Sequence, residues 1–352
     1  GFIAPYEILD TILHYQVFRL GNALAGWSPA DAYLWPSCIA GLIYLVAGWR
    51  AACLLFQLPI IRIACFSALS SLGLMQLFFG YGESYTLVTA AMSVYILVGL
   101  RAVEGLKIWF AMGLFVLCCS LHAMALSLLP SVLFVCCRRI EFPRWLVPSR
   151  LQTTTAGAVL LACLVWVYAW HYTYALPLWP QQGHWQWWLF SPDHLLLLLN
   201  TLLLVSPFCF AWIIQGGSGG VQLDGRLTFL LLSALGPLAL SATHNAYLGG
   251  RDWDLLSFPA YPLTLFSIAL LLRGRYRFRR AVAMCGCQVP LMVIQTLLWV
   301  SINADVELGT RRLGNLLDST NRSPHYEAFT RAHYLANIRQ SPATAVPHFR
   351  EA

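Results

Sequence analysis

Charge is what this chain has least of. Of 352 residues only 11% are Asp, Glu, Lys or Arg, and 59% are hydrophobic; a soluble domain carries about 25% charged residues. No hydrophilic interval between residues 33 and 301 is long enough to fold by itself. A soluble enzyme, a secreted disulfide scaffold and a disordered protein are therefore excluded. The chain also lacks a phosphate-binding glycine loop and a nucleotide fold, which argues against a nucleotide-sugar donor bound inside the cell. Most of the 11 cysteines, Cys65, Cys118, Cys119 and Cys136 among them, fall in or beside apolar runs. They read as small hydrophobes, not as a disulfide framework. Cys285-Gly286-Cys287 has no second ligand pair nearby and sits in an apolar stretch, so packing explains it better than metal binding. Residues 1–30 have neither the basic start nor the apolar core of a signal peptide.

What is present is a succession of apolar runs. Measured against the roughly 20 residues that cross a bilayer, candidate spans cover 33–49, 63–79, 84–100, 108–137, 153–170, 195–214, 227–242, 254–272 and 281–301. The run 108–137 would be about 45 Å long as one helix, and it contains His122 and Pro130. Arg101 and Lys107 precede it and Arg138, Arg139, Arg144 and Arg150 follow, so both ends should face the cytoplasm. The spacing predicts two short helices with a tight turn near His122. With that hairpin, fourteen cationic residues fall on one side, including Arg50, Arg62, Arg226 and the 273–280 cluster RGRYRFRR. The net charge of +7 then reflects topogenic, lipid-facing loops and needs no nucleic-acid partner. The expected fold is an all-α polytopic bundle of about 10 spans, residues 31–301. It is preceded by an outer segment, 1–30, and followed by an outer helical tail, 302–352.

The opposite side collects different chemistry. Glu7, Asp10 and His14 lie in the first segment, and Gly80-Tyr81-Gly82-Glu83-Ser84-Tyr85 forms the loop after the second run. His122 sits at the hairpin, and His244-Asn245 precedes Gly249-Gly250-Arg251-Asp252-Trp253-Asp254. Ionisable residues at span ends are functional candidates, and their convergence predicts a shared outer site. Bland readings stand beside each. Glu83 suits a helix start, Arg251 and Asp252 an interfacial ion pair, and His122 a satisfied core histidine. The tryptophans and tyrosines suit an aromatic belt. The loop 171–194, with Trp179, Trp185, Trp187 and Trp188, reads either as an amphipathic cover over a site or as a surface anchor. Ile8, Ile12, Leu13, Val17 and Leu20 repeat at helical spacing opposite Glu7, Asp10, His14 and Arg19. That pattern predicts an amphipathic helix on the outer surface, with a further span expected upstream of Gly1.

Four of these segments together resemble the polytopic glycosyltransferases of the C-type superfamily, which use polyprenyl-phosphate sugars. They are Glu7-Ile8-Leu9-Asp10-Thr11-Ile12-Leu13-His14, Phe79 to Tyr85, Leu121-His122, and Arg251-Asp252-Trp253-Asp254-Leu255-Leu256-Ser257. Within the superfamily the likeness is to bacterial inner-membrane members that continue into tetratricopeptide repeats. Ala345, Phe349 and Ala352 after Tyr334-Leu335-Ala336 resemble the start of such a repeat, although Pro347 interrupts it. The resemblance implies sugar transfer on the periplasmic face, with the catalytic carboxylate in the first outer loop or upstream of Gly1. Asp10, or failing that Glu7, would be the general base. Arg251 would hold the donor phosphate, and Asp252 and Glu83 would orient groups or ligate a divalent metal. Tyr81 and His122 would donate in a pocket completed by His14, Asn245 and Asp254. Two other classes stay open: a scaffold recruiting protein partners through its tail, and a transporter or flippase of lipid-linked substrate.

Overall fold

The structure is a computed structural model that describes residues 7–79, 82, 84–139, 176, 178, 188–217, 222–244, 253–273, 278–305, 307–308, 311 and 346. It divides into two units, Gly1–His244 with Trp253–Thr296, and Asn245–Asp252 with Leu297–Ala352. The first is an all-helical bundle. Of the second, the described residues are the last turns of the final helix, a Glu307–Arg311 pair in solvent at 3.7 Å, and Val346. Among the described residues there is no β-strand. The expected span at 153–170 and the repeat-like residues lie outside the described residues.

Helix α1 covers Ile8–Ala25 and ends where Gly26 takes φ 68°, a left-handed turn that a side chain would strain. Helix α2 (Asp31–Leu55) starts as the Asp31 carboxylate accepts from both the N–H and the hydroxyl of Ser28. Helix α3 (Pro59–Ser70) opens with proline at its first position and gives way to a 3-10 turn at Gly73–Leu77. Helix α4 spans Tyr85–Glu104. Helices α5 (Ile108–Leu121) and α6 (Leu129–Arg139) flank a 3-10 segment, Ala123–Leu128. Then come α7 (Pro192–Val205), α8 (Cys209–Gly217), α9 (Gly225–Thr243), the short α10 (Trp253–Leu256), α11 (Ala260–Arg273) and α12 (Phe278–Ala304).

The hairpin predicted within 108–137 is present, with His122 extended at the break. The count of about 10 spans is corrected. Among the described residues five helices are long and apolar enough to cross a membrane, or six if the α7–α8 pair is one broken span. The expected span 63–79 fails because α3 has only 12 residues, about 18 Å at 1.5 Å per residue against a core of about 30 Å. Past it, the Ser71 hydroxyl turns back to donate to the Ala68 carbonyl, competing with the helix ladder. The expected span 195–214 bends by 90° between α7 and α8, where Pro207 interrupts the helical ladder. Each arm of the hairpin is likewise shorter than a span.

Helix α11 is the centre of the unit, buried on nearly every side and packed against α3, α8 and α9. Polar staples hold α12 to its neighbours. Trp212 of α8 donates to Gln288, Gln295 donates to the Leu203 carbonyl at 2.8 Å, and Thr296 donates to the Ser71 carbonyl. Glycine permits the closest approaches. The Phe229 ring of α9 occupies the space where Gly99 of α4 has no side chain, and Gly236 of α9 lies directly on the Ser127 backbone carbonyl. Small residues allow such contacts between membrane helices.

Ion pairs identify one end of the bundle. Arg226, at the start of α9, pairs with Glu104 at the end of α4 and donates to the Leu54 carbonyl at the end of α2 at 3.2 Å. Arg273, ending α11, pairs with Asp224, whose carboxylate also caps α9 by accepting from the Leu227 N–H. Arg138 of α6 lies beside Gly225. The neighbouring helices α2 and α4 therefore run parallel, and the basic loops at 50–62, 101–107 and 138–139 meet at this end.

Substituting Gly236→Ala should destabilise the purified protein by about 1–3 kcal/mol through overpacking against Ser127. Gly113→Ala, which meets nothing within 4 Å, should leave the thermal midpoint unchanged. Equal midpoints for the two variants in a detergent melt would contradict the close approach.

Candidate functional site

At the end of the bundle away from Arg226, α1 packs against α2 and α5 and turns two ionisable residues one helical turn apart toward the protein. Asp10 is 2% exposed and His14 is 4% exposed. Residues four apart share a helix face, and here that face is the buried one. His14 Nδ1 lies 3.0 Å from Asp10 Oδ2 and 3.0 Å from the Asp10 backbone carbonyl. A carbonyl oxygen can only accept, so Nδ1 carries the proton and donates to both. In the neutral ring Nε2 then bears the lone pair. The imidazole is held from its face by Tyr33 of α2, stacked at 4.2 Å between centroids and 18° between planes.

The pair leaves two atoms unmatched. Asp10 Oδ1 and His14 Nε2 are buried and have no hydrogen-bond partner among the described residues, an arrangement that costs free energy and marks functional or strained sites. Burial pushes the His14 pKa down. The hydrogen bond and charge of Asp10, with a further contribution from the charge of Glu7, outweigh it, so the pKa is raised above the ordinary 6.5. A buried acid that fixes the proton on one imidazole nitrogen and leaves the other basic is the chemistry of a general base and its orienting group.

The other expected site residues part into two groups. His122 sits at the helix break, where its Nδ1 accepts from the Met124 N–H at 3.1 Å and so caps the 3-10 segment. Its ring lies 5.2 Å from that of Tyr85. Asp254 is buried in the first turn of the short α10 and accepts from the adjacent Leu255 N–H at 2.9 Å. The histidine thus performs local capping, and the acid lies at a helix start. Tyr81, Glu83, Asn245, Arg251 and Asp252 lie outside the described residues, as does most of the tryptophan-rich loop. Among the described residues no three His, Cys, Asp or Glu side chains gather as a metal site would require.

Two groups at this end were not expected from the sequence. Tyr33 was counted among the aromatic belt, and only the fold brings its ring onto His14. His194, at the start of α7, donates through Nε2 to the Ala242 carbonyl at 2.8 Å, tying α7 to the end of α9. Residues 48 apart carry no local signal of such a bond. At the end of the segment that follows the 3-10 turn, Phe79 adopts φ 63°, a conformation that costs a bulky residue of order 1–3 kcal/mol. Its ring and the Phe78 Cβ pack where Gly41 leaves room.

Comparison of the chain with protein-family profiles, curated proteins and solved structures finds no match.

Because the folded pKa of His14 lies above its unfolded value, the pair's stabilisation is complete below pH 6.5 and is lost as pH rises through the folded value. The difference in thermal midpoint between the wild type and His14→Gln should shrink from mildly acidic to alkaline pH. A difference that stays constant with pH would contradict the ion pair.

Proposed function

We propose that this chain is an integral membrane transferase that moves a sugar from a polyprenyl-phosphate donor to an acceptor hydroxyl at the bundle end bearing Asp10 and His14. The observation that carries this reading is the buried pair itself, with its proton fixed on Nδ1 and its basic Nε2 unmatched. The apolar bundle supports it too, since a donor with a polyprenyl tail meets its enzyme in the membrane. The likeness of four segments to C-type glycosyltransferases supports the choice of sugar transfer. The cationic loops at the other end favour a cytoplasmic setting there, and hence a periplasmic site in a bacterial inner membrane.

In this reaction the acceptor oxygen forms a bond to the anomeric carbon as the bond from that carbon to the phosphate oxygen breaks. The phosphate leaves with the electron pair, and the acceptor's proton passes to His14 Nε2. His14 thereby takes the role of base, and Asp10 becomes the group that orients the ring and stabilises the imidazolium. Glu7 adds negative charge nearby. The resemblance to C-type glycosyltransferases, and not the described structure, assigns Arg251 to the departing phosphate and Asp252 and Glu83 as orienting acids.

The test is transfer from polyprenyl-phosphate sugars in a native lipid extract to a panel of hydroxyl acceptors. His14→Gln and Asp10→Asn should each lower turnover by roughly 10²–10⁴-fold, the usual worth of a positioned base. Wild-type turnover should fall as pH drops through the raised His14 pKa, because the base acts only when neutral. Full turnover in both variants would reject the assignment. Failure of sugar-bearing and sugar-free polyprenyl phosphate alike to protect the folded protein thermally would reject the enzyme in favour of a membrane scaffold.

A further inference from the structure

Helix α1 is arranged inside out for a helix in water. Its buried stripe is Asp10, His14 and Gly21. Ile8, Ile12, Leu13, Leu20 and Leu24 are exposed instead, Leu20 at 63% and Leu24 at 77%. The polar residues expected on one face are divided by the packing: Asp10 and His14 turn to the protein, whereas Arg19 is exposed with the apolar residues. Leaving such a row in water forfeits about 25 cal/mol for each Å² of apolar surface, and a contiguous apolar patch marks a protein or membrane contact.

Two observations select lipid as the cover. The two helices that α1 packs against expose apolar side chains as well, Trp35 and Ile39 on α2 and Val116 and Leu117 on α5. Less than half of the apolar window of α2 is buried, although that helix is long enough to span. Its outward face therefore meets hydrocarbon, and the face of α1 extends the same belt. Secondly, the Arg19 guanidinium stands 5.9 Å from the centroid of the Tyr15 ring. A cation on a long stem beside an amphipathic aromatic suits the boundary between headgroups and acyl chains.

We propose that α1 lies in one leaflet of the bilayer, its leucines and isoleucines among the acyl chains and its Asp10–His14 stripe turned onto the bundle. The partner of this surface is the lipid itself. The inference does not depend on the transfer reaction. If that reaction holds, a membrane-borne donor reaches the pair at the level of the headgroups.

The experiment uses the full chain in liposomes of phosphatidylcholine and phosphatidylglycerol. A nitroxide is carried on a bioorthogonal amino acid at Leu24 or, separately, at Ile12, which leaves the native cysteines untouched. Both positions are exposed, and an unchanged size-exclusion profile verifies the fold. At both, collision with oxygen should exceed collision with a water-soluble nickel chelate several-fold. Greater access to the chelate would place α1 in water and overturn the proposal. Little access to either reagent would place protein over the helix and also overturn it, and a dipolar distance between labels would show whether that protein is a second copy. Because no step reads activity, the outcome is separate from the fate of the proposed transfer reaction.

Discussion

A backbone N–H or C=O set free inside hydrocarbon has no water to turn to, and each costs several kcal/mol if left bare. This chain nevertheless interrupts its helices repeatedly, and at several of the interruptions a side chain or a neighbouring turn takes up a freed group. His122 caps the 3-10 segment after α5. The Ser191 hydroxyl accepts from the His194 N–H where α7 starts, and Asp224 does the same for α9. At the Ser206 break the Cys209 N–H donates to the Ser206 carbonyl at 3.3 Å, while the Ser206 hydroxyl bonds that of Thr264 in α11 at 2.7 Å. Once the breaks are satisfied, the short helices can pack around α11 without each having to cross the membrane.

That constraint explains which features were legible. The hairpin at His122 followed from charge parity, because two basic ends on one side force an even number of crossings between them. The span count did not follow, because a hydropathy run cannot distinguish 17 continuous helical residues from a helix, a serine-led turn and a 3-10 segment. Residues 63–79 are mostly apolar, yet the helix ends at Ser70, and beyond it the Ser71 hydroxyl donates to the Ala68 carbonyl. The bend at Ser206-Pro207 was marked in the sequence by proline, but its apolar flanks read as one run.

Asp10 and His14 were recognisable as candidates from their spacing on one helix face. Their roles were not, since a sequence says which residues share a face and not which way the face points. The stripe could have met water, where Asp10 would be a free carboxylate. Turned inward, it becomes a coupled pair in which the carboxylate holds the imidazole. Tyr33 shows the same limit: its aromatic character was evident, whereas its partner, 19 positions earlier, depended on how α1 folds back onto α2.

The parallel course of α2 and α4 carries a further consequence for how the protein assembles. Antiparallel neighbours can form as soon as a short turn allows, but parallel neighbours need the chain to return along the bundle first. Here the return is made by residues 56–84, through α3 and the 3-10 turn. The extensive α2–α4 contact is therefore closed only after an intervening segment has been threaded beside it, a non-local event that slows folding. The brevity of α3 then has a kinetic meaning: a 12-residue helix is too short to insert as a span of its own, so the return must be carried across together with its longer neighbours.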